Sequence, residues 1–256
     1  MSTPMLPPIA GTNSGKTITQ GGWRITTHKY PILSSTELEA MTATLGITPP
    51  EMIFGNNLVS LQHISSGFTV SFRALDALSL VDKTGAAMLR VAYSDAWQRM
   101  REEVHRDIKE VVKPYDWTFT TPYQGTVSGG AGELSPTSDE IPFERLKKPD
   151  PILMFDEVML YEDELADNGI SLLSAKVRVM PGRLLLLQRF FMRLDDVLFR
   201  IRDTRVYVEF ATGEVIREYQ AREGTYENVR KVFNPPSPSS QKTTFCFLRR
   251  RLFSRN

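Results

Sequence analysis

Residues 183–210, RLLLLQRFFMRLDDVLFRIRDTRVYVEF, decide how the rest of the chain is read. Two long β-prone runs, Arg183 to Asp195 and Val197 to Phe210, meet at the Asp195-Asp196 pair. Short polar breaks between such runs mark hairpins. Successive strand residues face opposite ways, so Phe190 and Phe191 put bulk on both faces. Arg189, Arg193, Arg200, Arg202 and Arg205 keep returning through the hairpin. A third strand, Glu214 to Ala221, follows through the turn at Thr212-Gly213. Consecutive strands with short links favour an antiparallel meander.

Working outward, Ile152 to Tyr161 and Leu173 to Val179 read as two more strands. Trp23 to Lys29 alternates, and so do Phe68, Val70 and Phe72 with their polar neighbours. Ser34 stands three before Glu37, a capping-box pattern, and Leu38, Met41 and Leu45 then repeat at helical spacing up to Gly46. Met88 to Tyr93 reads as a strand, and Ser94 caps a helix carrying Trp97, Met100 and Val104. Strands dominate, with a few helices packed on them. The expected class is α+β: one domain over residues 22–233, mainly antiparallel sheet. Residues 1–21, rich in Pro, Gly, Ser and Thr, and 234–256, opening NPPSPSSQ and ending FLRRRLFSRN, are expected to be flexible arms. Gly125 to Glu140 reads as a long loop.

Composition excludes several classes. The 256 residues carry 31 basic and 30 acidic side chains, a net charge of +1, so no global field selects nucleic acid or an anionic membrane. An apolar fraction of 41% excludes a wholly disordered chain. The single cysteine, Cys246, excludes an internal disulfide and any multi-cysteine zinc site. His28, His63 and His105 are too scattered for a metal cage. The N-terminus lacks the basic and apolar regions of a secretory signal, and Leu184 to Met192 is too short to span a bilayer. The cytosol, alone or with the nucleus, is the expected compartment.

Local motifs yield no assembled active site. AGTNSGKT (10–17) matches a loose phosphate loop, yet prolines precede it and Gly21-Gly22 soon follow, where a buried strand and a helix are needed. The acidic run from Asp156 to Asp167 offers carboxylate oxygens to a hard cation, but without calcium-hand spacing; it also reads as a charged face. Asp76 and Asp203 sit among apolar residues. They serve either acid–base chemistry or structure, as a helix cap and as an ion pair with Arg205. KPYDWT (113–118) reads as a packed corner or a binding ridge. On the packed reading it feeds a strand through Thr121, with Trp117 as anchor pointing the same way as Phe119.

One ordered string of blocks goes further. PEMIFG (50–55), Asn57, Gln62-His63, SGF (66–68) and DAL (76–78) come first, then KPYDWT (113–118) with Thr120-Thr121 and Tyr123. Glu157-Val158, EDEL (162–165), RVMP (178–181), RFF (189–191), DTR (203–205) with Tyr207, and REY (217–219) complete it. From about Trp23 to Glu223 the chain resembles the TIPRL family, the TOR-signalling-pathway regulator-like or TIP-forty-one-like proteins.

The resemblance implies a non-enzymatic α+β protein without cofactors or metals. It implies binding to the catalytic subunits of type 2A protein phosphatases in TOR-linked nutrient signalling. Some members also associate with the alpha-four/Tap-forty-two regulator. It further implies a groove for the short C-terminal tail of the phosphatase subunit, lined here by Asp76, Ile141, Ile201 and Asp203, with Ile201 standing where the family has Met. Two rival classes are weighed against this: a metal-dependent hydrolase built on the 156–167 carboxylates, and a nucleic-acid module built on the Arg-rich strands.

Overall fold

A hairpin with bulk at both parities needs cover on two sides, and the fold supplies it. The computed structural model describes residues 14–84, 115–130, 134–233 and 248–254. The strand expected at Met88–Tyr93 and the helix expected after Ser94 lie outside these residues.

The hairpin is β10 (Arg183–Leu194) and β11 (Leu198–Glu209), and β12 (Glu214–Thr225) returns along its other side. Asp196 takes a left-handed conformation at φ 59° in the first turn, and Gly213 does so at φ 70° in the second. The turn sets the register: Leu194 faces Leu198, Arg189 faces Asp203 and Leu185 faces Tyr207. On the far side of β10 lie β9 (Gly169–Val179) and then β8 (Met154–Asp163). Short β3 (Met52–Ile53) and β7 (Leu134–Ser135) and the terminal β13 (Leu248–Ser254) complete an eight-stranded sheet. Its order is β3-β8-β9-β10-β11-β12-β13-β7, with every pairing antiparallel.

The second sheet has five strands in the order β1-β2-β4-β5-β6. They are β1 (Ser14–Gln20), β2 (Trp23–Lys29), β4 (Leu58–His63), β5 (Thr69–Phe72) and β6 (Thr126–Ser128). Among the described residues there are four helices. These are α1 (Ser35–Leu45), α2 (Ala74–Ser79), one-turn α3 (Phe143–Leu146) and α4 (Tyr226–Phe233). The capping box on α1 is formed: Ser34 Oγ accepts from the Glu37 amide while the Glu37 carboxylate accepts from the Ser34 amide, and Gly46 at φ 68° ends the helix.

One continuous apolar core lies between the sheets. Trp23, Ile25, Leu61 and Phe72 come from the small sheet; Leu186, Phe190, Val206 and Val208 come from the inner face of the large one. A single core shared by both layers makes an α+β domain of mainly antiparallel sheet.

Two strands fall inside the stretches expected as flexible arms. Ser14–Gln20 pairs residue for residue with β2, where Thr17-Ile18-Thr19 supplies β-branched residues. Leu248–Ser254, including the Arg249-Arg250-Arg251 cluster, pairs with Val215–Ala221 of β12. The AGTNSGKT motif therefore ends in a strand rather than opening a helix, and Lys16 donates to the Phe155 carbonyl at 2.8 Å. It lacks the helix N-terminus on which a phosphate loop depends.

The corner at 115–119 also differs from expectation. Phe119 takes φ 56°, so the alternation of a strand is broken there and no strand follows before β6. Tyr115 and Phe119 are the buried anchors, while Trp117 is half-buried against the core. Buried Asp116 holds the turn through the Thr118 amide at 3.0 Å and hydroxyl at 2.6 Å.

Candidate functional site: the outer face of the large sheet

Strand parity divides the large sheet into two faces. On β11 the even positions Leu198, Val206 and Val208 enter the core, so Ile201, Asp203, Arg205 and Tyr207 face outward. Asp203 is 4% exposed yet charged, and the register explains how. Arg189, directly opposite on β10, donates to both its oxygens, through Nε at 2.7 Å and Nη2 at 2.9 Å. Arg205 adds a third bond at 3.1 Å. The hydrogen bond to Asp203 outweighs burial and raises the Arg189 guanidinium above its ordinary pKa. Two-pronged pairing of this kind fixes both position and charge.

The network continues onto β12. Gln220 faces Asp203, and its Oε1 accepts from Arg222 at 2.9 Å and from Arg205 at 3.5 Å. Glu218 faces Arg205, and its Oε1 accepts the Ile141 amide at 3.0 Å. Ile141 packs with Tyr207 and Ile216 in a small apolar cluster on this face, joined by Leu146 and Leu185. Ile201 is half-buried between Phe191 on β10 and Arg222 on β12. Phe191, Phe199 and Tyr226 extend an aromatic strip beside it, with Phe199 and Tyr226 stacked at 5.4 Å. α3 is fastened over the face by Arg145–Glu209 at 2.9 Å and by Arg183, which donates to the Asp150 carboxylate and the Arg145 carbonyl. Burial pushes the Tyr207 hydroxyl upward, and its bond to Glu209 adds to the shift.

Three of the four residues expected to line a groove, Ile141, Ile201 and Asp203, thus share one face. Asp76 does not join them. It lies in α2, where it accepts from Thr126 Oγ1 at 2.6 Å and Tyr123 Oη at 3.4 Å. These residues line a separate cleft of 510 Å³ together with Leu80, Pro122 and Arg217. Arg217 faces inward from β12, beside Val206 in register, and donates to the Gln124 carbonyl at 3.2 Å. Burial lowers its pKa. Burial, chiefly, raises the Tyr123 hydroxyl to about 12, and neighbouring Asp76 pushes the same way. Nothing local in the sequence marks Arg217 or Glu218 as site residues. Only the strand pairing, which carries them to Gln124 and Ile141, reveals their roles.

The acidic run does not converge. Along β8, Asp156 and Asp163 stand about 23 Å apart at the ordinary rise of a strand. Asp156 pairs with Lys29 at 2.5 Å and accepts from Thr27, Glu157 pairs with Lys176 at 2.9 Å, and Asp163 accepts the amides of Glu51 and Leu165. Among the described residues no group of three or more His, Cys, Asp or Glu side chains gathers as a metal-ligand set. Four of the five recurring arginines are likewise engaged: Arg189 and Arg205 with Asp203, Arg193 with Asp195, and Arg200 with Glu223 and Thr120. No helix among the described residues is long and apolar enough to cross a membrane.

Comparison with known proteins shows the family. The model of the TIP41-like family matches residues 52–230. A human TIP41-like protein is 45% identical over 220 residues, covering 85% of this chain and 79% of that protein. The type 2A phosphatase activator TIP41 of Saccharomyces cerevisiae is 43% identical over 223 residues, covering 81% of this chain and 62% of the yeast protein. The type 2A phosphatase activator tip41 of Schizosaccharomyces pombe is 34% identical over 209 residues, covering 82% of each. With the family model matching well over half of the chain and relatives of this identity covered over most of their length, the chain belongs to the TIP41-like family.

Proposed function

We propose that this chain is a non-catalytic regulator of type 2A protein phosphatases, acting in TOR-linked nutrient signalling by binding the catalytic subunit through its C-terminal tail. The observation that carries the reading is the kinship with two yeast proteins named as type 2A phosphatase activators. The outer face supports it with a surface suited to an extended peptide. Half-buried Ile201 and its aromatic neighbours offer apolar contact, and the Arg189–Asp203–Arg205 cluster offers fixed charge beside it. Extended tails are held in this manner by pockets for alternate side chains. Asp76 contributes from the separate cleft. The alpha-four/Tap-forty-two regulator is the second partner on this reading, and the cytoplasm, with the nucleus, is the compartment.

The test is calorimetric titration of the full chain with a purified type 2A catalytic subunit, intact and with its C-terminal tail removed. Binding of the intact subunit alone is expected. Equal binding of the tail-less subunit overturns the tail reading, and binding of neither overturns the whole assignment.

A further inference from the structure

The outer face carries a second feature that the tail reading does not use. Phe155 at the start of β8 is 48% exposed, and Leu153 and Ile152 just before it are 44% and 53% exposed. Large apolar side chains grouped in this way on a soluble domain mark contact surfaces more often than chance.

The register connects this patch to the residues already described. Ile216 faces Tyr207, Tyr207 faces Leu185, Leu185 faces Arg178, and Arg178 faces Phe155. One unbroken row therefore crosses the outer face from the Ile141 cluster to Phe155. Three strand spacings separate Phe155 from Tyr207, about 14 Å, and four residues along β11 separate Tyr207 from Asp203, about 13 Å. Both patches lie within about 20 Å of each other.

Size decides what the second patch is for. A stable interface buries about 800 Å² on each partner, a footprint about 30 Å across. One extended tail covers a strip only about 5 Å wide, the width of one strand. A tail on Ile201 and Asp203 leaves most of that footprint unfilled, and the Phe155 patch lies inside it. Its charge gives the partner's chemistry. Arg178, directly opposite Phe155, and Lys148, on the segment leading into β8, are exposed, while Lys147 is paired with Glu144 and Lys176 with Glu157. The complement is an apolar surface flanked by carboxylates.

We infer that Leu153 and Phe155, with the exposed Arg178 and Lys148, form a second contact surface that receives the folded body of the same catalytic subunit whose tail lies on Ile201 and Asp203. The inference rests on the proposed function for the identity of the partner. Its test separates the two. Phe155→Glu and the conservative Phe155→Leu are titrated against the intact catalytic subunit and against a synthetic peptide of its C-terminal tail. Phe155→Glu is expected to weaken subunit binding by about tenfold or more, as loss of an interface aromatic does. Peptide binding should stay at the parent value, and Phe155→Leu should stay near parent for both. If thermal unfolding shows Phe155→Glu to be destabilised, Leu153→Asp takes its place with the same expectation. A charged variant that binds the subunit as the parent does, or loses subunit and peptide alike, overturns the second surface and leaves the tail reading standing. A parent chain that binds neither subunit nor peptide overturns the proposed function, and the second surface falls with it.

Discussion

Arg189 and Phe190 are neighbours in sequence and answer to different demands. Phe190 faces inward, where it joins the apolar core and the cost of any void is high. Arg189 faces outward, where it holds a nearly buried carboxylate on the adjacent strand. The same contrast runs along β11, from Val206 and Val208 inside to Asp203 and Arg205 outside. Burial alone does not separate scaffold from site, because Asp203 is almost as hidden as Val206. Parity and chemistry together do: Asp203 is a charged residue hidden on the outer face, held there by Arg189 and Arg205 rather than by the apolar core.

The largest effect expected is on the inner face. Phe190→Ala empties a fully buried position and should cost about 3–5 kcal/mol, much of a domain's stability. Urea unfolding measures it, and binding should be lost only together with the fold. A midpoint close to the parent's would erase the distinction between the faces.

Trp117→Ala tests the corner that packs under the inner face. Because Trp117 is half-buried, its loss should cost about 1–2 kcal/mol by the area it gives up, less than a fully buried tryptophan. Phe119→Ala, measured beside it, should cost more. A reversed order would restore Trp117 as the anchor of the corner.

Asp203→Asn sharpens the comparison from the outer side. It keeps the shape but leaves Arg189 and Arg205 without their counter-charge. With Arg189 43% exposed at its side chain, water recovers part of the loss, and roughly 1 kcal/mol of stability should go. Affinity for the catalytic subunit should fall more steeply than stability. A melting temperature unchanged alongside unchanged binding would remove Asp203 from the site.

The smallest effect is a pH dependence at the seam between the sheets. Burial pushes the Asp156 carboxyl up, but the hydrogen bonds from Lys29 and Thr27 and the Lys29 charge outweigh it, so its folded pKa is lowered. The unfolded chain therefore takes up this proton first. The stabilisation is present above about pH 4, the ordinary range of a carboxylate, and is lost as pH falls through the lower folded value. The urea midpoints of parent and Asp156→Asn should differ at pH 7 and converge as pH falls below the ordinary carboxylate range. A constant gap across that range would assign the effect to the Thr27 hydrogen bond alone.

Much of this was legible before any coordinates. The hairpin itself was legible, but its register was not: a turn centred between Asp195 and Asp196 would set Arg189 against Arg202, whereas the turn is centred on Asp196 and sets Arg189 against Asp203. The capping box at Ser34 and the stop at Gly46 follow from local hydrogen bonding, which a short window of sequence contains. The shared face of Ile201 and Asp203 follows from a period of two. Ile141 reaches them through a hydrogen bond to Glu218 across 77 positions, and no local signal carries that contact. Trp117 was misplaced for a related reason: a β-prone run predicts a strand, and the left-handed Phe119 that breaks it is imposed by packing. Part of that packing is the fully buried Tyr161, whose hydroxyl donates to the Phe119 carbonyl at 2.9 Å.

The open side of β8 has a consequence for how the protein is made. β3 covers only its last part, at Tyr161 and Glu162. Along the rest, side chains occupy the outward backbone groups: Lys16 takes the Phe155 carbonyl, Asn57 takes the Met159 carbonyl, and Asp156 accepts the Glu157 amide with its own carboxylate. In the finished molecule these three contacts interrupt the ladder that a stray strand would need. Two of the three plugs, however, are delivered by the small sheet and by the loop before β4. A nascent chain that forms the long meander first bears a bare edge until the small sheet docks, and crowding at that moment invites chains to stick. Refolding yield should therefore fall with concentration more steeply in a Lys16→Ala, Asn57→Ala double variant than in the parent, although both end in the same fold.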